Sequence, residues 1–431
     1  MAGAPGHRAT ATLIPENNAS KSKDRMGAMV MKIFIRRRKN SGFKVMFLIT
    51  EDWYFLSHRE PLAQACRDLG WEVVIATRVH RHGETIRGMG FSLIPIQMDR
   101  RSRNPFKELR TIFELVKILA RERPNIVHQV GLKPVIYGSI AAMFCPPDVV
   151  VNALAGLGYV FTTSHHPHLR MVRVVMRRML ELCMRRRNHW LLVQNDDDGA
   201  AFMVGCKIDP DHITVIPGSG VNVDHYVPVP EPEGEVVVAV VSRMLKDKGI
   251  REVVLAAREL KRRGTKVRVL LVGRPDSGNP SSIGEDTLRQ WHSEGCVEWL
   301  GHQDNIAAIW SKAHIAVLPS YREGLPKSLL EAAACGRPIV TTDVPGCRDV
   351  VVDGVNGFLV PTESWIELAD AIEVLAGSRE LRQRMGAAGR ARVEAMFSQD
   401  FVVRQTLDLY RSASERAGRP CPMLAAGLPP S

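Results

Sequence analysis

Two short segments of the chain carry charged residues where chemistry can be done. The first is Ser320-Tyr-Arg-Glu-Gly-Leu-Pro-Lys-Ser-Leu-Leu-Glu331, directly after the apolar run His314–Pro319. Pro326 suits the first turn of a helix, where a missing N–H costs nothing. The N–H groups of Gly324, Leu325 and the residues beyond then point out of a helix N-terminus. Such an end carries about half a positive charge and accommodates a phosphate. Glu323, in the loop, can reach a sugar hydroxyl, and Glu331, more than a turn into the helix, can accept two hydrogen bonds from a ribose diol. The second segment is Ser242-Arg-Met-Leu-Lys-Asp-Lys-Gly249, after the apolar run Val236–Val241. Arg243 and Lys248 on this loop could stabilise a diphosphate as a leaving group with no metal required. Each residue also has a plainer reading. Glu323 would be a solvated loop acid, Glu331 a buried ion-pair partner, and the two cations exposed basics before a helix.

The elements that must position these loops can be read from the alternation of β-branched runs and amphipathic stretches. Strands are expected at Phe43–Thr50, Glu72–Thr77, Ser92–Ile96, Ile126–His128, Val149–Asn152 and Trp190–Gln194. Helices are expected at Leu56–Leu69, Pro105–Glu122, Lys133–Phe144 and around 167–187. The pattern restarts after residue 215 with strands Val236–Ser242, Lys266–Gly273, His314–Pro319 and Arg337–Thr342. A βαβα alternation specifies a parallel sheet covered on both faces. With 431 residues, two domains are expected. The reading is an α/β fold of two tandem Rossmann-like domains with a cleft between them. Its parts are a basic, disordered lead over 1–40, an N-terminal domain over 41–215, a linker over 216–235, a C-terminal domain over 236–397, and a helix with a frayed tail over 398–431. Open α/β sheets bind ligands outside the carboxyl ends of their strands, which is where both segments fall. No GxGxxG follows the first strand of either domain and no GxxxxGK[ST] occurs, which argues against a simple dehydrogenase and a P-loop NTPase.

Taken together, the two segments resemble the retaining GT-B glycosyltransferases usually called family 4. The marks are Glu323-x7-Glu331, Arg243-x4-Lys248, the Gly336-Arg-Pro338 turn, and Gly346 with the run Asp353-Gly-x-Asn-Gly-Phe-Leu359. The resemblance covers roughly 43–410. The N-terminal half is similar to the branch that extends polyprenyl-diphosphate-linked glycans. It shares Phe55-Leu-Ser-His-Arg59, Pro124-Asn-Ile-Val-His128, Lys133-Pro-Val-Ile-Tyr-Gly138 and Asn152-Ala-Leu-Ala-Gly-Leu-Gly-Tyr159. The resemblance implies that Arg243 and Lys248 bind the donor diphosphate, Glu323 the transferred sugar and Glu331 the ribose. It also implies retention of anomeric configuration by front-face attack, the departing phosphate helping to deprotonate the acceptor. Many members place a histidine near the sugar after a late N-domain strand, whereas this chain has Asn152-Ala-Leu-Ala-Gly156. His58, Arg59, His128 and Lys133, which follow strands or sit at a cleft edge, are the acceptor-side candidates. Gly218 and Gly220, at the hinge, could let backbone approach the donor.

The charge of +12 is local: residues 1–40 hold nine Lys/Arg against two acids, and residues 165–190 hold seven Arg against Glu181. The second patch is a helix with apolar residues at Val172, Val175, Met176, Met179, Leu180 and Cys183, and with Arg170, Arg173, Arg177 and Arg178 largely off that stripe. A basic amphipathic helix suits an anionic membrane surface. No aromatic platform accompanies it, which argues against nucleic acid. No window reaches the roughly 18–20 apolar residues of a membrane span. Ala28–Ile35, broken by Lys32 and followed by arginines, is not laid out as a secretory signal. The eight scattered cysteines form no zinc pattern and suit a reduced interior. Asp196-Asp-Asp198 imitates a metal-binding DxD but stands before a helix, where capping explains it.

The expectation is therefore a cytoplasmic enzyme, peripheral on the inner face of the plasma membrane. Its partners are a nucleotide-sugar donor and a lipid-linked sugar acceptor, with no metal or other cofactor. A nucleotide-sugar epimerase of the same fold and a non-catalytic sugar-binding protein stay open as rivals.

Overall fold

The computed structural model describes residues 42–99, 104–154, 167–276 and 278–422, and in 167–173 the backbone only. The expected disordered lead, the frayed tail beyond 422 and the Ala155–Tyr159 part of the quoted motif lie outside the described residues.

The first half is a seven-stranded sheet of β1 (Lys44–Glu51), β2 (Glu72–Arg78), β3 (Ser92–Pro95), β4 (Ile126–Val130), β5 (Val149–Ala153), β6 (His189–Val193) and β7 (Ile213–Val215). Its order is β3-β2-β1-β4-β5-β6-β7 and all pairs are parallel. The second half is a six-stranded parallel sheet of β8 (Val236–Val241), β9 (Val267–Val272), β10 (Glu298–Gly301), β11 (Ile315–Leu318), β12 (Ile339–Thr342) and β13 (Gly357–Val360), in the order β10-β9-β8-β11-β12-β13. Val236-Val-Val-Ala-Val-Val241 needs no alternation, because helices cover both faces of a parallel sheet. Two Rossmann-like domains in tandem are thus present.

In each sheet the order reverses once, between β1 and β4 and between β8 and β11. These are the topological switch points where α/β sheets open a crevice at their carboxyl ends. Helices Pro105–Glu122 and Leu132–Phe144 pack on one face of the first sheet. The other face takes helices Asp52–His58 and Glu60–Asp68, together with Gln399–Arg416 from the far end of the chain. Val402, Leu407, Leu409 and Tyr410 of that last helix are buried with Phe47 and Ile126 of the first sheet.

The expected single helix over 56–69 is two helices. Arg59 leaves helical geometry, and Pro61, lacking an N–H, can begin a helix but not continue one. Strands β7, β10 and β13, of three or four residues each, were not anticipated. Among the described residues no helix is long and apolar enough to cross a membrane.

Candidate functional site

β8 and β11 are neighbours, so the loops that leave their carboxyl ends lie side by side. Gly249 makes this approach possible. Its φ is +68°, and a Cβ there would stand 2.1 Å from the carbonyl oxygen of Pro319. The Tyr321 N–H donates to the Asp247 carbonyl (2.9 Å), locking one loop to the other. Lys248 and Glu323 form an ion pair, both side chains largely buried. The Ser320 hydroxyl donates to the same Glu323 carboxylate (2.7 Å), and Thr342 donates to the Ser320 carbonyl. Gly346, on the loop after β12, presses against this segment: a Cβ there would lie 2.3 Å from the Gly324 carbonyl oxygen. Glu323, Gly324 and Leu325 are therefore held from three sides.

Arg243 stands on the same loop as Lys248 but pairs elsewhere, with Asp276 at 2.8 Å. The loop bearing Asp276 is tied in by Met244 N–H to the Arg274 carbonyl (3.1 Å) and by Ser281 to Asp247 (2.9 Å). Each cation of the expected diphosphate pair thus has its own carboxylate. Pro326 is the N-cap rather than the first helical residue, and the helix runs Lys327–Ala334. Glu331 is buried in it, and burial pushes its carboxyl above the usual range. Lys327, at 4.0 Å, and the Tyr226 hydroxyl act against that rise.

The N-terminal half brings four expected residues together. His58, Arg59, His128 and Gly218 line one small cavity with Ser219, closed by Val402 and Thr406 of the C-terminal helix. His58 stacks on Tyr54 with ring centroids 4.1 Å apart, and its Nδ1 is 2.5 Å from the Ser57 hydroxyl. Burial, with Lys327 and Arg59 nearby, lowers its pKa to about 3, so the ring is neutral at physiological pH. Arg59 is buried and its Nε has no hydrogen-bond partner. His128 sits inside the sheet, not at an exposed cleft edge. Its Nδ1 shares a hydrogen bond with the Tyr410 hydroxyl (2.6 Å), and its Nε2 is unpartnered.

Lys133 and Gly220 stand apart from that cavity. Lys133 pairs with Glu108 at 2.8 Å and donates to the Asp99 carbonyl, which joins two helices. Gly218 faces Leu325, where a Cβ would come within 3.0 Å of its Cδ2. Gly220 instead presses on the backbone of Ser398 and Gln399, so its left-handed turn admits the C-terminal helix rather than the 320–331 segment.

The Asp196-Asp-Asp198 run is corrected in part. The cap is Asn195, whose side chain accepts from the Asp198 N–H (2.7 Å). The acids serve the junction of the two halves. Asp198 lies 3.7 Å from Arg322 and Asp197 lies 3.5 Å from Arg348. Asn195 also donates to the Gly324 carbonyl (2.8 Å), and Lys327 donates to the Ser57 carbonyl (2.9 Å). Asn195, Asp198, Arg322, Lys327 and Tyr226 therefore belong to the site; the sequence reading placed none of them there and took Asp198 only as part of a capping run. Its one available signal was Asp198 beside a strand end.

In the basic helix Pro167–Met184, Leu180 and Cys183 face the core, but Val175 is exposed, against the expected stripe. Arg178 pairs with Glu181 at 2.7 Å, and Arg177 is exposed. The side chains of Arg170 and Arg173 lie outside the described residues.

This arrangement matches known proteins over most of its length. Residues 226–392 match the family described as glycosyl transferases group 1, and residues 44–189 match glycosyl transferase 4-like. Over 377 residues the chain is 27% identical to a Campylobacter jejuni protein, N,N'-diacetylbacillosaminyl-diphospho-undecaprenol alpha-1,3-N-acetylgalactosaminyltransferase, covering 83% of this chain and 97% of that one. Among solved structures, sucrose-phosphate synthase from Thermosynechococcus elongatus superposes with a TM-score of 0.71 at 21% identity, covering 86% of this chain and 98% of that one. Anabaena HepE in complex with UDP-glucose gives 0.68 at 18%, covering 86% and 99%.

Proposed function

We propose that this chain, a glycosyltransferase of the GT-B fold, moves a hexose or N-acetylhexosamine from a UDP-sugar to a polyprenyl-diphosphate-linked glycan, with retention of anomeric configuration. The observation that carries the reading is the convergence of Lys248 and Glu323 at the β8/β11 switch point, with Glu331 buried on the helix that follows. The Campylobacter relative, whose name describes transfer to a diphospho-undecaprenol-linked sugar, supports the acceptor class. The same-fold neighbour holding UDP-glucose supports the donor class.

In this reading Lys248, Arg243 and the N–H groups around Gly324 and Leu325 face the donor diphosphate. They stabilise the charge that grows as the bond from the sugar C1 to the phosphate oxygen breaks. The electron pair stays on the diphosphate. The acceptor hydroxyl adds to C1 from the same face, and its proton passes to the departing phosphate oxygen. Glu323, fixed by Lys248 and Ser320, orients the sugar, and Glu331 accepts from the ribose hydroxyls. His58 and Arg59 lie on the acceptor side. No metal is invoked, because two cations and a helix end supply the positive charge. The enzyme works in the cytoplasm, on the inner face of the membrane that holds the acceptor.

Incubation with each UDP-sugar and a synthetic polyprenyl-diphosphate-linked saccharide tests the reading. The expected product carries one added sugar by mass spectrometry, with the donor's anomeric configuration by NMR. Consumption of UDP-sugar with neither acceptor nor free UDP would instead identify an epimerase.

A further inference from the structure

Helix Pro105–Glu122 has a face that the fold does not use. Thr111, Leu115, Ile118 and Leu119 turn inward and are buried. On the opposite side Phe106, Leu109 and Phe113 are 83%, 52% and 60% exposed. Their spacing of three and seven residues puts them in one stripe, with Arg110 and Lys117 on the same side of the helix. Phe106 is not exposed by fraying, because Asn104 caps the helix by accepting from the Phe106 N–H (3.0 Å) and Pro105 sets the first turn.

The charge on this helix is sorted by side. Glu108 turns to Lys133 and Tyr137 on the adjacent helix Leu132–Phe144, and Glu114 accepts from the Gln97 N–H (3.2 Å). Lys107, Arg110 and Lys117 remain exposed. An outward face of two phenylalanines, a leucine and cations matches a bilayer surface, with apolar groups below the headgroups and cations among anionic phosphates.

Its place in the fold gives the face a purpose. Glu108, in the first turn, pairs with Lys133 at the start of the next helix, just past the carboxyl end of β4. At the other end Glu122 pairs with Lys44 at the start of β1 (3.1 Å). The helix therefore runs against the strands, so the face begins with Phe106 and Leu109 at the carboxyl-end rim of the N-terminal sheet, where the acceptor would enter, and continues to Phe113 near mid-helix. Val174 and Val175 of the Pro167–Met184 helix are exposed apolar residues as well.

We infer that the Phe106, Leu109 and Phe113 face, flanked by Arg110 and Lys117, docks the enzyme on an anionic membrane surface. The basic helix Pro167–Met184 is then at most an adjunct. The docking rests on the lipid-linked acceptor for its purpose, but its test does not require that acceptor.

The full-length protein is sedimented with phosphatidylcholine vesicles containing about one-third phosphatidylglycerol, and with pure phosphatidylcholine vesicles. Wild type should bind the anionic vesicles and lose them in high salt. The triple variant Phe106→Ser, Leu109→Ser, Phe113→Ser should bind at least about tenfold more weakly. Arg110→Gln with Lys117→Gln should cost about fivefold for each cation removed. Val204→Ser, an exposed apolar position on helix Asp196–Cys206, should change nothing. UDP titration of the same variants should match wild type, which separates loss of docking from failure of the donor reading. Undiminished binding by the triple variant would overturn the inference. So would a wild type that ignores anionic vesicles, or a triple variant that only converts a dimer to a monomer.

Discussion

Lys248 and Glu323, 75 positions apart in the chain, meet as an ion pair where β8 and β11 lie side by side. The pair joins the loop with the cations to the loop that would hold the sugar. Glu323 cannot turn away without leaving Lys248 and Ser320, and neither loop can retreat without breaking the Tyr321 to Asp247 bond. A carboxylate fixed in this way is preorganised, which is the property a transfer site needs.

Removing one member should cost more than removing both. Lys248→Met leaves Glu323 in a largely buried position with only Ser320 as partner, and should destabilise by about 2–3 kcal/mol, below the fully buried range because both side chains retain some exposure. The double variant Lys248→Met, Glu323→Gln should lose less than Lys248→Met alone, and so clearly less than the sum of the two singles. Urea unfolding of wild type, Lys248→Met, Glu323→Gln and the double variant measures the coupling, and additive losses would show that the pair is not one unit.

Gly346 and Gly354 separate two roles of glycine. Both have positive φ, +79° and +72°, but only at Gly346 would a Cβ strike the Gly324 carbonyl. Gly354→Ala should cost about 1–2 kcal/mol of stability and leave donor affinity unchanged. Gly346→Ala should also displace the Glu323–Leu325 segment and weaken UDP-sugar binding at least about tenfold, or about 1.4 kcal/mol. Equal donor affinity in the two variants would refute the role given to Gly346.

Asp198 provides a pH test of the junction. Burial raises its pKa to about 6, against the pull of Arg322 and Asn195. The folded state therefore holds a proton that the unfolded chain releases near pH 3.8. Stability from this group is present below that pH and is lost as pH rises through about 6, by about 3 kcal/mol. Asp198→Asn should show no such loss. Wild type should thus lose stability relative to the variant between pH 4 and pH 7, as read by chemical denaturation. A constant difference across that window would contradict the assignment.

The elements of this protein were more legible in its sequence than their meetings. Helix Pro105–Glu122 has its expected bounds because Pro105 and the periodic apolar residues mark it locally. The parallel second sheet followed from uninterrupted runs such as Val236–Val241. What was missed depends on distant partners. His128 reads as the last residue of a strand, yet its hydrogen-bond partner is Tyr410, 282 positions on. Asn195 falls unnoticed between the expected strand Trp190–Gln194 and the Asp196-Asp-Asp198 run, and its contact with Gly324 spans 129 positions. The face at Phe106 was hidden for the converse reason. A periodic pattern shows that a helix has apolar residues on two sides, but not which side the fold covers.

Isothermal titration of UDP, UDP-glucose, UDP-N-acetylglucosamine and UDP-N-acetylgalactosamine decides whether the loops after β8 and β11 hold a nucleotide-sugar. Wild type, Glu331→Ala and Lys248→Ala would be compared well below their melting temperatures. Binding on the order of micromolar is expected for at least one UDP ligand, weakened at least about tenfold by either substitution. Silence toward every UDP ligand and toward GDP- and ADP-sugars, or binding that both substitutions leave intact, would contradict that placement.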